Sequence, residues 1–233
     1  MNDLILNIET STGVCSVSIS SGSDTLALRE SMTGRSHAAM VTVFIDEVMK
    51  EAGLDFSMLS GVAVSRGPGS YTGLRIGVSV AKGLCYGAGL PLIAVNTLAV
   101  MAGMVISSPH APTDGHTVLC PMIDARRMEV YMALFDEKGR QTGDITADII
   151  TGDTFRELLD EKKMLIFGDG AGKFKDVITH GNALFIPGIY PSARLMAGLS
   201  FKALREGIFE DTAYFNPFYL KDFLATTPKK KMF

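Results

Sequence analysis

Residues 61–77 read GVAVSRGPGSYTGLRIG, and this stretch decides the fold that the chain is expected to adopt. Its first six residues predict a buried strand, and Gly67-Pro68-Gly69 predicts a tight turn at the end of that strand. Ser70 or Thr72 is suited to cap the helix that follows, which the apolar pattern extends to about Tyr86. A buried strand that leads through a turn into a helix is typical of α/β proteins.

Upstream, three short segments predict an antiparallel meander. Leu4–Glu9 is an apolar run that ends in an acid, Val14–Ser20 alternates between apolar and small polar residues, and Thr25–Ser31 pairs back after a turn. A helix over about 36–52 then precedes the deciding stretch, because the glycine that follows it is a typical C-terminal stop.

The second half of the chain repeats the order of the first. An apolar strand again ends in an acid, Asp124, and residues 128–136 alternate as the next strand. With a shift of 115 residues, Ile8-Glu9 falls on Ile123-Asp124, and Ile19 falls on Leu134. Later helices are predicted near Asp153–Glu161, Lys173–Thr179 and Ser192–Glu206, with the strands MLIFGD and ALFIP between them.

This repeat predicts a duplicated α/β fold of two similar lobes, each a mixed sheet flanked by helices. We expect an N-terminal lobe over residues 1–106, a C-terminal lobe over 107–233, and an interlobe joint at Ser107–His116, which is rich in Pro, Ser and Asp. The alternative is that any two α/β halves show the same order of elements at this level of detail.

The composition excludes several classes of protein. The chain has 233 residues, of which 47% are hydrophobic, and a formal net charge of −3, so we expect neither a disordered chain nor a basic arm for nucleic acid. Its three cysteines are too scattered for a disulfide scaffold, which favours a reducing, cytoplasmic location. They are Cys15, Cys85 and Cys120.

Two stretches bear on membrane contact. The first residues lack the basic segment of a signal peptide, and residues 83–113 contain no charged side chain. Pro91 interrupts the second stretch, and the apolar run from Leu98 to Ile106 is too short to cross a bilayer. We therefore expect a buried strand, a turn and a helix there, and no membrane partner.

The glycine-rich turn is a candidate anion site. Gly67, Gly69 and Ser70 precede a helix N-terminus, where backbone N–H groups can bind a phosphate or carboxylate. The spacing G-x-G-x-x-x-G differs from that of dinucleotide folds, and on spacing alone it favours a capped turn that only allows tight packing. The polar residues Thr10 and Ser11 follow the first strand and belong to the same candidate site.

Glu9 and Asp124 end the equivalent strands of the two halves. Paired in one cleft, these acids could hold a metal-bound nucleotide, although acids at strand ends are commonly only solvated. FGDGAGKF (Phe167–Phe174) imitates a phosphate-binding P-loop, but phenylalanines stand at two of its essential positions. The four histidines show no zinc-binding pair and the cysteines no Cys-x-x-Cys, so we expect no catalytic residue and no metal in this chain.

Two helices lack a polar face. Small side chains recur at 73, 77, 81 and 85, and the segment AAMVTVFI at 38–45 is almost entirely apolar. Such helices are either central in the fold or meet another chain. The predicted partner interface comprises Met40, Val41, Phe44, Gly73, Leu74, Gly77, Val78, Ala81 and Cys85.

Five segments, taken in order, resemble one family. They are ETSTGVCSVSI, RSHAAMV, GPGSYTGLRIGVSVAKGL, IDARRMEVYMALFD and NPFYLKDFLA. The resemblance is to the TsaB (YeaZ) family, whose members are dimerisation subunits of the bacterial machinery that makes threonylcarbamoyladenosine on tRNA. It runs from the first strand to about Ala225 and implies the duplicated actin-like fold, also called ASKHA or RNase H-like.

The same resemblance implies the function. The chain would be a non-catalytic subunit that binds a TsaD-like catalytic subunit through its two apolar helices and self-associates as a homodimer when isolated. ATP and a metal would sit on partner subunits, a TsaE-like ATPase would join through the complex, and tRNA would be contacted indirectly. Glu9 stands where the family has Asp, which weakens any metal or nucleotide role.

Two other functions stay open on the residues. One is an ASKHA-type ATPase or phosphotransferase that uses Glu9, Asp124 and the turn at Gly67–Gly73. The other is a metallopeptidase, as the glycoprotease-like label of the family implies, although the missing histidine pair argues against it. The run Lys229–Lys231 is interpreted as a solvated tail.

Overall fold

The computed structural model describes residues 3–32 and 37–221. The first half contains strands β1 (Leu4–Glu9), β2 (Cys15–Ser21), β3 (Asp24–Ser31), β4 (Gly61–Gly67) and β5 (Leu92–Asn96), and helices α1 (His37–Ala52), α2 (Tyr71–Ala88) and α3 (Thr97–Ile106). The second half contains strands β6 (Thr117–Asp124), β7 (Glu129–Met132), β8 (Thr146–Ile149), β9 (Lys163–Phe167) and β10 (Ala183–Ile186), and helices α4 (Arg156–Glu161) and α5 (Ala193–Glu206). The Lys229–Lys231 tail and the end of the NPFYLKDFLA segment lie outside the described residues.

The two sheets have the same topology. Their strand orders are β3-β2-β1-β4-β5 and β8-β7-β6-β9-β10. In each sheet the first three strands form an antiparallel meander, and the fourth and fifth run parallel to the first. The predicted α/β fold of two duplicated lobes is therefore confirmed.

The strand registers show where the two lobes differ in length. Glu9 pairs with Ser16, whereas Asp124 pairs with Val130, so the second hairpin is one residue shorter than the first. The strand expected over 128–136 is regular only in β7, because the chain then turns away and Phe135 makes an isolated bridge to Leu119.

Two further elements differ from the expectation. Strand β8 was missed, because its four residues, TADI, are too few and too polar to show a strand pattern. The helix expected near Lys173–Thr179 is a single 3-10 turn, Ala171–Phe174. The β-branched run Val177-Ile178-Thr179, followed two residues later by Gly181, disfavours continuation as an α-helix.

Helices α3 and α5 pack across the midpoint of the chain. Leu98, Met101 and Val105 of α3 join the core of the second sheet. Ala193 and Met196 of α5 join that of the first sheet. The predicted lobe boundary between residues 106 and 107 divides the sequence, but α3 and α5 each pack on the sheet of the other half. The boundary therefore stays a prediction.

Within the described residues, no helix is long and apolar enough to span a membrane. The uncharged stretch 83–113 forms the end of α2, strand β5 and helix α3, in agreement with the expected strand and helix. Asn96 caps α3, because its side-chain oxygen accepts hydrogen bonds from the backbone N–H groups of Leu98 and Ala99.

Candidate functional site

A cleft of about 600 Å³ separates the two lobes. Most of its lining comes from four parts of the chain: the β1–β2 hairpin, the turn that leads into α2, the β6–β7 hairpin and the segment Phe218–Lys221. His37 of α1 and Asp169 of the turn after β9 complete it. Its lining includes Ser11, Gly69, Ser70, Tyr71, Asp124, Arg126, Arg127, Glu129, Tyr131, Asp169, Phe218, Tyr219 and Lys221. The cleft therefore joins the glycine-rich turn of the first lobe to the charged hairpin of the second.

Helix α2 lies directly on the β1–β2 hairpin. Ser70 caps the helix by accepting a hydrogen bond from the Gly73 N–H at 3.3 Å, and its own N–H donates to the Ser11 carbonyl at 2.6 Å. The Thr10 hydroxyl donates to the Gly73 carbonyl at 2.8 Å. A Cβ at Gly73 would collide with the Thr10 carbonyl, and one at Gly69 with that of Ser11. These glycines thus allow the turn to pack tightly on the hairpin, which agrees with the interpretation of the turn as a capped packing element.

Most residues of the predicted partner interface are buried within this chain and are not exposed to a partner. Seven of its nine members are buried within this chain: Val41, Gly73, Leu74, Gly77, Val78, Ala81 and Cys85. The small-residue ridge faces the first sheet, because a Cβ at Gly77 would meet Thr10 and Val64. Only Met40 and Phe44 are half-buried and reach the outer surface of the helices.

A second set of small residues occupies the opposite side of α2. Ser79, Gly83 and Gly87 are exposed there, and a Cβ at Gly83 or Gly87 would meet no atom within 4 Å. Half-buried or exposed apolar side chains of α1 and α2 accompany them, and we call this set the outer apolar face: Met40, Val43, Phe44, Ile76, Val80 and Leu84. The i, i+4 spacing of these three small residues was a signal in the sequence that was overlooked.

Glu9 is fully buried beneath the first hairpin. One carboxylate oxygen accepts a hydrogen bond from the Ser11 N–H at 2.6 Å, and the other has no hydrogen-bond partner within residues 3–32 and 37–221. Desolvation by burial raises the pKa of Glu9. Thr10 and Ser11 are buried with it, and within residues 3–32 and 37–106 the first lobe contributes no acid to the cleft lining.

Asp124 is exposed in the cleft but already has a cationic partner. The Lys173 ammonium forms an ion pair with its carboxylate and donates to the Arg127 carbonyl at 2.8 Å. The Arg126 N–H donates to the same carboxylate at 2.6 Å. The structure therefore does not bring Glu9 and Asp124 together as a metal-binding pair.

The second lobe repeats the glycine turn, and this repeat was missed in the sequence. Gly67 and Gly168 have φ values of 108° and 107°, and each directly follows or ends the fourth strand of its sheet. Gly170 then presses on Asp124, as Gly69 presses on Ser11. The segment FGDGAGKF therefore imitates a P-loop in sequence but aligns in the fold with RGPGSYTG.

Asp169 stands in the second turn at the place of Pro68 in the first. Its carboxylate accepts a hydrogen bond from the Asp124 N–H at 3.1 Å. Burial raises the pKa of Asp169, and the negative charge of Asp124 acts in the same direction. This carboxylate thus serves to hold the second hairpin on the turn.

The segment Phe218–Lys221 connects the two lobes over the cleft. The Phe218 N–H donates to the Arg66 carbonyl at 2.7 Å, and Lys221 forms an ion pair with Glu129 of β7. The Tyr219 ring lies 4.9 Å from that of Tyr71. The sequence motif at this place was noticed only through the family resemblance.

Groups of three or more residues that could hold a metal ion are absent from residues 3–32 and 37–221. His37, which lines the cleft, has its Nε2 3.1 Å from the Val14 carbonyl. The expectation that this chain carries neither metal nor nucleotide stays a prediction.

Comparisons with known proteins agree with this architecture. The family model described as "TsaD: tRNA N6-adenosine threonylcarbamoyltransferase" matches residues 31–226. The tRNA threonylcarbamoyladenosine biosynthesis protein TsaB of Escherichia coli (strain K12) is 29% identical over 95% of this chain and 96% of its own length.

Two solved structures show the likeness in fold. YeaZ from Pseudomonas aeruginosa has a TM-score of 0.77 and 24% identity, over 94% of this chain and all of that one. The inorganic polyphosphate/ATP-glucomannokinase from Arthrobacter sp. strain KM has a TM-score of 0.50 and 11% identity, over 88% of this chain and all of that one. The second likeness extends the fold to a sugar kinase, in agreement with an actin-like architecture.

Proposed function

Because the chain belongs to the family described as TsaD, tRNA N6-adenosine threonylcarbamoyltransferase, we propose that it is a TsaB-type (YeaZ-type) subunit in the formation of threonylcarbamoyladenosine on tRNA. The observation that carries this proposal is the match to a TsaB protein along nearly the whole of both chains. In this role the chain binds and supports a TsaD-like catalytic subunit.

The chemistry of the cleft supports a non-catalytic role. A divalent cation bound with a nucleotide needs accessible carboxylate oxygens. Here Glu9 is buried, Asp124 and Glu129 form ion pairs with Lys173 and Lys221, and the Asp169 carboxylate accepts a hydrogen bond from the Asp124 N–H. ATP and a metal are accordingly assigned to partner subunits, with a TsaE-like ATPase reached through the complex.

The outer apolar face supports a helical contact with the partner. Exposed glycines on α2 allow another helix to approach its backbone closely, and the apolar side chains around them supply the area that such a contact buries. The same face would form the homodimer of the isolated chain. The interface thus lies on the side of α2 opposite to the one predicted from the sequence.

The cytoplasm is the proposed location. All three cysteines are free and buried, and burial raises the pKa of Cys15 and of Cys85 to about 11. Thiols with such pKa values stay protonated and unreactive at neutral pH, as suits a protein of a reducing compartment that makes no use of disulfides.

Co-purification with the TsaD-like subunit of the same organism tests the interface. Gly83→Glu places a charge beside the outer apolar face where the helix has free space, so it should abolish capture of the partner. The thermal midpoint should stay the same or rise slightly, because glutamate favours a helix more than glycine does. A matched control is Leu199→Glu on α5, where an apolar side chain is 37% exposed on another helix. Normal capture by the Gly83 variant, or equal loss in both variants, would contradict the proposed interface.

The proposed role itself is tested by reconstitution. Adding the chain to the TsaD-like subunit, the ATPase and unmodified tRNA should be required for threonylcarbamoyladenosine to form, as measured by nucleoside mass spectrometry. Calorimetry of the chain alone with Mg-ATP should show no binding. Tight binding that depends on Asp124 would favour the ATPase or phosphotransferase function instead.

A further inference from the structure

The β6–β7 hairpin carries two adjacent arginines in an unusual backbone conformation. Arg126 and Arg127 have φ values of 70° and 54°, in the left-handed region that non-glycine residues seldom adopt. Such conformations persist where the surroundings hold them, and they occur often at binding and active sites. Here the Asp124 carboxylate and the Lys173 ammonium hold the hairpin through its backbone.

Both guanidinium groups are available to a ligand. Both residues are exposed and line the cleft, and no ion pair or hydrogen bond of either guanidinium is found among residues 3–32 and 37–221. Among the neighbouring acids, Asp124 pairs with Lys173 and Glu129 with Lys221, whereas the Asp169 carboxylate accepts a hydrogen bond from the Asp124 N–H. With Asp169 counted, the two arginines still give this end of the cleft a net positive charge.

Aromatic rings lie elsewhere along the same cleft. Phe218 and Tyr219 of the connecting segment are each 37% exposed. Tyr219 is held in place by Arg75, whose Nε donates to its hydroxyl at 3.3 Å. The Phe218 ring lies 5.8 Å from the Arg66 guanidinium, and one side of the Tyr219 ring packs on Tyr71. Partly exposed rings that share a cleft with arginines are the combination with which proteins bind unpaired bases and their phosphates.

We propose that this cleft binds single-stranded RNA, with Arg126 and Arg127 on successive phosphates and the Phe218–Tyr219 rings against a base. This inference rests on the proposed function, because a subunit of a tRNA-modifying complex works beside an RNA that has single-stranded loops. It replaces the indirect contact with tRNA by a direct one. A magnesium-bound nucleotide fits the cleft less well, since Lys173 occupies the exposed carboxylate of Asp124.

The contact is local, which explains why the composition does not reveal it. With a net charge of −3, the chain has no long-range attraction for RNA, and only the two arginines contribute phosphate contacts. Each contact to a single strand lowers the logarithm of the binding constant by about 0.7 per tenfold increase in salt. Two contacts predict about a sevenfold loss of affinity between roughly 50 mM and 200 mM salt.

The test is fluorescence anisotropy with a labelled anticodon stem-loop RNA. The variant Arg126→Asn/Arg127→Asn removes both charges and keeps residues that tolerate the left-handed conformation. Arg140→Asn/Arg156→Asn is the control, because it removes two exposed arginines of the same lobe that pair with their own acids. Arg126→Lys/Arg127→Lys restores the charge.

We expect Arg126→Asn/Arg127→Asn to weaken RNA binding at least tenfold and to remove most of its salt dependence. The control variant and Arg126→Lys/Arg127→Lys should keep the affinity and the salt dependence of the unaltered chain. Competition by unlabelled stem-loop, and not by ATP or by a blunt duplex of the same stem, identifies single-stranded RNA as the ligand. No binding by the unaltered chain at low salt, equal loss in the control, or displacement by ATP would each overturn the proposal.

The same variants separate this inference from the proposed function. The asparagine pair should still capture the TsaD-like subunit, because the hairpin lies in the cleft and not on the outer apolar face. Should RNA binding fail while capture and reconstitution succeed, only the RNA contact is wrong. Should the unaltered chain fail to capture the partner, the proposed function is wrong whatever the RNA result.

Discussion

The β1–β2 and β6–β7 hairpins occupy equivalent places in the two sheets, yet they have opposite properties. Glu9, Thr10 and Ser11 of the first hairpin are fully buried. Asp124, Arg126 and Arg127 of the second are exposed. Both hairpins are touched by a glycine turn that follows the fourth strand of their sheet, so the turn alone does not explain the difference.

The element after each glycine turn accounts for the difference. After Gly69 the chain continues as the 18-residue helix α2, whose first turns cover the hairpin. After Gly170 it forms only a 4-residue 3-10 turn, from which Lys173 reaches the hairpin with its side chain. One lobe therefore covers its hairpin with a helix that is also available to a partner, and the other leaves its hairpin open to a ligand.

The strongest test of this comparison adds one methyl group to each side of α2, by replacing Gly73 on the inner side or Gly83 on the outer side with alanine. Gly73→Ala directs a Cβ into the Thr10 carbonyl, which is backbone and cannot move aside. We expect a loss of about 3 kcal/mol or more in the free energy of unfolding, above the usual cost of overpacking because backbone must shift. Urea denaturation measures it.

Gly83→Ala is the matched control, because the same change on the outer side meets no atom. There we expect a gain of about 0.5–1 kcal/mol from the better helix propensity of alanine. Equal effects at the two positions would show that α2 does not seal the first hairpin.

These two glycines also show how far the sequence can be used. The order of strands and helices was predictable, because alternation and glycine turns mark the elements locally. The orientation of α2 was not, since small residues follow one another on two of its sides and either set could face the sheet. Only the position of Thr10, brought there by the β1–β4 pairing, distinguishes the inner set from the outer one.

The charged hairpin was hidden for a different reason. Arg126 and Arg127 are ordinary residues in the sequence, and their left-handed conformation arises from contacts with Asp124 and Lys173. Lys173 is distant in the chain from both, so no local pattern announces the contact. The burial of Glu9 and the exposure of Asp124 were likewise not predictable, because the end of a strand in the sequence indicates position along a sheet and not burial.

Burial of Glu9 predicts a pH dependence of stability. Its pKa is raised above the ordinary value of 4.5 in the folded state, so the folded protein binds the proton more tightly than the unfolded chain does. The stability that this proton contributes is complete below pH 4.5 and is lost as the pH rises through the folded-state pKa. Ionisation of Glu9 therefore lowers the free energy of unfolding.

Glu9→Gln should remove this destabilising effect of the buried charge. The amide oxygen still accepts the Ser11 N–H, and a neutral amide costs less to bury than a carboxylate even where its nitrogen finds no partner. We therefore expect a net gain of about 1 kcal/mol in the free energy of unfolding at pH 7. The gain should shrink as the pH is lowered toward 4. Asp124→Asn makes the contrast, because it removes an exposed charge that has a partner and should destabilise at pH 7. A gain in both variants would contradict the opposite roles of the two acids.

The smallest expected effect concerns Lys173, which takes in the second hairpin the place that α2 has in the first. Its ammonium group binds the Asp124 carboxylate and the Arg127 carbonyl, and its side chain is 23% exposed. Lys173→Met keeps the length of the side chain and removes these contacts. Because partly exposed ion pairs contribute little, we expect a loss of at most about 1 kcal/mol.

The local consequence of Lys173→Met should exceed the global one. Without the ammonium, the left-handed conformation of the two arginines loses a contact that holds it, and the hairpin opens more often. Trypsin cleaves after arginine, so the rate of limited proteolysis at Arg126 and Arg127 should rise severalfold, while Lys173→Arg keeps the charge and protects the hairpin. An unchanged cleavage rate in Lys173→Met would mean that the strands alone hold the hairpin, and that the ammonium is not the counterpart of α2.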